Sequence, residues 1–142
     1  MVFRVESEVG QLQQVIVHRP GLELARLTPS NVHSLLFDDV LWAERAIEEH
    51  DAFTQALRDN GAQVHYFNEL LGEALQYEAA REFLLERVVH EETMGPTLVS
   101  PLRSLIANTE PQELADFMIG GILKKDLPLL AYPGNAGSAG GA

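Results

Sequence analysis

The chain contains no cysteine in 142 residues. That excludes disulfides, thiolate zinc sites, iron–sulfur clusters and any cysteine nucleophile within it. Cationic residues are scarce as well. Ten Lys and Arg face 21 Asp and Glu, a formal charge of −11. Such a surface repels phosphate backbones and anionic lipid, so nucleic-acid and membrane-surface roles are not expected. No apolar run approaches the roughly 20 residues needed to span a bilayer. The opening residues, Met1-Val2-Phe3-Arg4-Val5-Glu6, carry early charges and lack the apolar stretch of a signal peptide. A cytoplasmic protein is the expectation. What is present is ordinary globular material, 46% apolar and 22% charged, enough for a real core.

Residues 12–19, LQQVIVHR, are rich in β-branched residues and predict a strand. Its unbroken apolar centre, Val15-Ile16-Val17, predicts burial on both faces. Pro20-Gly21 suits the middle of a type II turn, and a loop is expected over 21–31. Residues 39–60 read as a helix, with Asp38 or Asp39 as cap and Gly61 as the left-handed residue after its end. Ala46, His50, Phe53 and Leu57 mark its apolar face. Residues 62–67 read as a second strand. Strand, helix, strand is the pattern of an α/β unit.

After Asn68 the pattern turns helical. Leu70 to Leu75, Ala79 to Val88, a segment starting at Pro101 and another starting at Pro111 are the candidates. Leu71, Phe83, Leu84, Leu105, Leu114 and Phe117 are expected to face inward. The division is therefore an α/β unit at 1–69, a helical bundle segment at 70–127 and a flexible Pro/Gly/Ala tail at 128–142. The tail's glycines lack the spacing of a phosphate loop and precede no helix.

The candidate chemistry is thin. His18, His33, His50, His65 and His90 form no His-x-x-x-His pair. His90-Glu91-Glu92-Thr93-Met94 places Met94 where a zincin needs its second histidine. No metal site is expected. Glu44, Glu48 and Asp51 offer oxygen to a hard cation, but a solvated helix face explains them. No serine stands in a Gly-x-Ser-x-Gly turn.

Longer stretches carry more. Val15-Ile16-Val17-His18-Arg19-Pro20-Gly21, Arg26-Leu27-Thr28-Pro29-Ser30-Asn31 and Leu35-Leu36-Phe37-Asp38-Asp39-Val40-Leu41-Trp42 follow one another in this order. With Glu49-His50-Asp51-x-Phe53, Ile119-Gly120-Gly121 and Asp126-Leu127-Pro128, they resemble the N-terminal part of bacterial arginine deiminase, from about Ser7 to about Pro128. The resemblance implies the first unit of a fivefold α/β propeller followed by a helical insertion, a partial fold. It implies hydrolysis of L-arginine to L-citrulline and ammonia, in arginine catabolism, with no metal or organic cofactor. The family attacks the guanidinium carbon with a cysteine, while a histidine shuttles protons and carboxylates hold the substrate. Those motifs have no counterpart here, so no catalytic residue is carried over. One substrate-binding position is: Leu36, whose backbone helps hold the α-amino acid end of arginine. Asp38 and Asp39 match the motif as structural residues.

The resemblance thus predicts a deiminase-family chain that is inactive by itself. A non-catalytic binding or regulatory module derived from the same region is the alternative. Strands around Ile16 and Val64 without further partners predict self-association through sheet edges.

Overall fold

A computed structural model describes Val5, residues 7–35 and residues 38–123. The β-branched run forms strand β1, Gln14–Val17, and the second predicted strand forms β2, Gln63–Tyr66. They pair in parallel, Val15 opposite Val64 and Val17 opposite Tyr66. A parallel pair needs a crossover, and helix α2, Ala43–Asp59, supplies it. Gly61 follows α2 at φ +84°, the left-handed geometry expected of it.

Several expectations are corrected here. Val15 and Val17 are half-buried, but Ile16 is 53% exposed. The described sheet has two strands, and residues that alternate across it cannot both face α2. Gly21 has φ −144° and opens helix α1, Leu22–Ala25, so Pro20-Gly21 is not the centre of a type II turn. Its carbonyl instead accepts the Leu24 and Ala25 amides, and the expected loop begins as a helical turn.

Helix α2 starts at Ala43, with Trp42 at the N-cap and no side chain capping it. Asp38 and Asp39 therefore do not cap it. Asp39 Oδ1 accepts the neighbouring Val40 N–H instead. The buried face is also rotated from the predicted one. Phe53 is 55% exposed, whereas Thr54 is 1% exposed. Ala43, Ile47, His50, Thr54 and Leu57 recur at steps of four and three. Thr54 tolerates burial because its hydroxyl bonds the Asp51 carbonyl and lies 3.2 Å from the Tyr66 hydroxyl.

The rest of the described chain is helical: α3 Phe67–Ala74, α4 Glu78–Val88, α5 Glu91–Met94, α6 Pro96–Asn108 and α7 Pro111–Gly120. Pro111 opens α7 as expected. Pro101 does not open α6. The helix starts five residues earlier at Pro96, and Pro101 is buried inside it. Leu75, Val89, Leu102, Ile106, Leu114 and Ala115 form the core. Each large member contributes roughly 1.5–3 kcal/mol of transfer free energy. Leu71 and Leu84 pack against this cluster. Leu105 and Phe117 are half-buried. Phe83 is the exception at 59% exposed, its ring lying under the Arg87 guanidinium at 5.0 Å.

Helices α3 and α7 pack along one another, and α7 also packs on α1. A Cβ at Gly120 would meet the Leu22 Cβ and lie 3.1 Å from the backbone of Leu22 and Glu23. Glycine at 120 is thus the condition for this close approach. Arg26 fastens the same joint by donating to the Gly120 and Gly121 carbonyls. The predicted tail, 128–142, lies outside the described residues.

Candidate functional site

Both strands end at the same side of the sheet. The residues just beyond them, His18 and Arg19 after β1 and Asn68 after β2, line a cleft of about 370 Å³. Crevices at the carboxyl ends of parallel strands are the usual ligand positions of α/β folds. Helix α1 supplies Leu22 and Glu23, α2 supplies Ala43 and Ile47, and α7 supplies Asp116 and Ile119.

The motif His18-Arg19-Pro20-Gly21 is held in place by three charged contacts. Arg19 makes a two-pronged ion pair with Asp51, Nε to Oδ1 at 2.7 Å and Nη2 to Oδ2 at 2.8 Å. These hydrogen bonds hold the Asp51 carboxyl below its ordinary value and raise Arg19 further. Asp51 thus belongs to this ion pair rather than to an acidic cation site. Glu23 Oε1 lies 2.8 Å from His18 Nε2 and accepts the Gly21 N–H at 2.8 Å. Burial works against the Glu23 charge, yet the Gly21 N–H, its own N–H and His18 together hold its carboxyl low.

Beside this pair lies His50. Its Nδ1 is buried without a hydrogen-bond partner among the described residues. Burial lowers its pKa, and the nearby Asp51 charge only partly opposes that. The imidazole packs on Tyr66 and Phe53, with ring centroids 6.2 and 6.3 Å away.

The preceding motif is equally local. In Arg26-Leu27-Thr28-Pro29-Ser30-Asn31 the Asn31 side chain accepts the Thr28 N–H at 2.7 Å and donates to the Arg26 carbonyl at 3.0 Å. This closes the turn that leads to the single 3₁₀ turn His33–Leu35. The predicted substrate-binding residue, Leu36, lies outside the described residues, as does Phe37. The structure does not gather the histidines. Among the described residues no group of three His, Asp or Glu could hold a metal ion.

Chemically, the cleft can bind and orient but not attack. Its lining contains no Ser, Thr, Cys or Lys, and so no nucleophile for covalent catalysis. Asn68 and Asp116 are cleft residues that the sequence pattern does not single out. Each sits in an amphipathic helix among residues of the same polarity, and only the packing of α7 onto α1 and α3 turns them toward one crevice.

No described helix is long and apolar enough to cross a membrane. The arginine deiminase family model matches residues 33–133, more than two-thirds of the chain. That interval contains the Leu35–Trp42 motif, helix α2, strand β2 and the helical region. The chain belongs to the arginine deiminase family.

Proposed function

We propose that these residues are the N-terminal portion of an arginine deiminase, catalytically silent on their own. In this reading 1–69 is the first unit of the family's α/β propeller. Residues 70–127 are its helical insertion, and the complete enzyme converts L-arginine to L-citrulline and ammonia. The observation that carries it is the family match over 33–133 in a chain with no cysteine. A guanidinium carbon is resonance-stabilised and needs a strong nucleophile, which a thiolate is and a serine hydroxyl without a base is not. Leu36 would contribute one wall of the arginine pocket through its backbone. Alone it holds little, because a cationic substrate needs several carboxylates placed around it.

The test is citrulline formation at saturating arginine by the purified 142-residue chain. Beside it runs the same chain extended by a family catalytic region carrying the Phe-Thr-Arg-Asp segment and the terminal cysteine. The extended protein should turn over and the short one should not. Turnover by the short chain that disappears when residues 30–40 are deleted would overturn the reading. An extended protein that folds but stays inactive would favour the non-catalytic module instead.

A further inference from the structure

The cleft at the strand ends carries a charge imbalance that its own residues do not repair. Its two cationic side chains are engaged, Arg19 by both oxygens of Asp51 and His18 by Glu23. Asp116 lines the same cleft from α7 and is half-buried. It has no hydrogen-bond or ion-pair partner among the described residues. Its surroundings across the cleft are apolar: Leu22, Ile47 and Ile119. A carboxylate partly withdrawn from water, and facing hydrocarbon, loses hydration that a cation with N–H donors restores.

The kind of cation follows from what else is present. A divalent metal would want several oxygen ligands, and no suitable group of three occurs among the described residues. A strongly hydrated ion would gain nothing from apolar walls. A hydrocarbon chain ending in a cationic nitrogen uses both features. The volume of about 370 Å³ falls within the range of small-molecule clefts. We infer that the cleft between α1, α2 and α7 binds a small alkyl cation, its nitrogen donating to Asp116 and its chain lying on Leu22, Ile47 and Ile119. This inference stands on the cleft and does not depend on the chain's catalytic status.

The probe is n-pentylammonium chloride titrated into the full chain, with n-pentanol as the uncharged comparison. Calorimetry gives the affinity. Trp42 is the only tryptophan and adjoins the cleft residue Ala43, so its emission gives a second readout. The ammonium should bind about tenfold or more tightly than the alcohol. Asp116→Asn, which keeps the shape of the side chain, should erase that difference while the alcohol's affinity stays the same. Ala43→Leu, which fills the cleft from the first turn of α2, should weaken both. Far-UV circular dichroism verifies that each variant is folded, and if the leucine variant is not, Asp116→Asn alone decides. Equal affinity for ammonium and alcohol would overturn the inference. So would undiminished ammonium binding to folded Asp116→Asn, or no response at about 10 mM ammonium.

Discussion

Single residues decide the geometry around the cleft, and Gly120 does so by its size. With backbone atoms of Leu22 and Glu23 only 3.1 Å from where a Cβ would stand, nothing flexible can yield. Gly120→Ala should destabilise the chain by about 1–3 kcal/mol, read as a lower midpoint in thermal or urea denaturation. Gly72→Ala is the control, because there the nearest obstruction is the movable end of the Gln112 side chain. An unchanged midpoint for Gly120→Ala would mean that α1 and α7 are not this close. The titrating residues make a second prediction. His50 has its folded pKa lowered by burial, so the neutral form is the stabilising one. That contribution is complete above the unfolded value of about 6.5 and is lost as pH falls through the lower folded value. Asp51 is lowered by its hydrogen bonds to Arg19. Its contribution is complete above about pH 4 and is lost as pH falls further. Proton NMR should therefore place His50 below about 6.5, and Asp51→Asn should flatten only the acid limb of the stability curve. A His50 titration at or above the ordinary value would contradict the burial of Nδ1.

Elements are joined by a few polar clasps, of which Arg81 is the most informative. From α4 its Nε donates to the Leu75 carbonyl at 2.8 Å and its Nη1 to the Ile106 carbonyl at 2.7 Å. Leu75 follows the end of α3 and Ile106 lies in the last turn of α6, where carbonyls lack partners within the helix. One guanidinium thus satisfies two helix ends beside the core. Arg81→Ala should cost about 1–3 kcal/mol, and Arg81→Lys should recover little of it because a point charge cannot reach both ends. Full recovery by lysine would show that charge alone matters. How far such elements were legible depended on how local their cause is. The α7 start at Pro111, the left-handed Gly61 and the two strands follow from nearest neighbours, and all are read directly from the sequence. The start of α6 was not, since Pro96 and Pro101 both fit a first helical turn and only the buried packing of Pro101 separates them. The α2 face was misplaced by one residue because Phe53 looks like core and Thr54 does not. Tyr66, brought back by the strand pairing, supplies the partner that lets Thr54 go inside. The cleft was legible as its motif His18-Arg19-Pro20-Gly21 but not as a site, because Asp51, Asn68 and Asp116 join it only through tertiary packing.

At the scale of the whole molecule, two opposing features govern behaviour in solution. The chain exposes large apolar side chains, among them Ile16 on the sheet face away from α2 and Trp42 and Phe53 on or beside α2. The described sheet is two strands wide, so each strand has one side without a neighbour. Unpaired edges and apolar faces favour association. Against this stands the charge of −11, which makes copies repel one another. The repulsion is long-range and is screened within about 10 Å at 0.1 M salt, whereas burial of apolar surface is short-range and survives salt. Self-association should therefore rise as salt is added at pH 7. It should rise further as pH is lowered toward the sequence pI of about 4.7, where the net charge vanishes. Sedimentation velocity at constant protein concentration measures it directly. Ile16→Thr keeps the β-branched shape of the strand residue while removing apolar surface from the open face, and should reduce association at every salt concentration. If the sedimentation coefficient is the same from low to high salt, and unaltered by Ile16→Thr, the open sheet face is not a contact surface and the exposed side chains are simply tolerated in water.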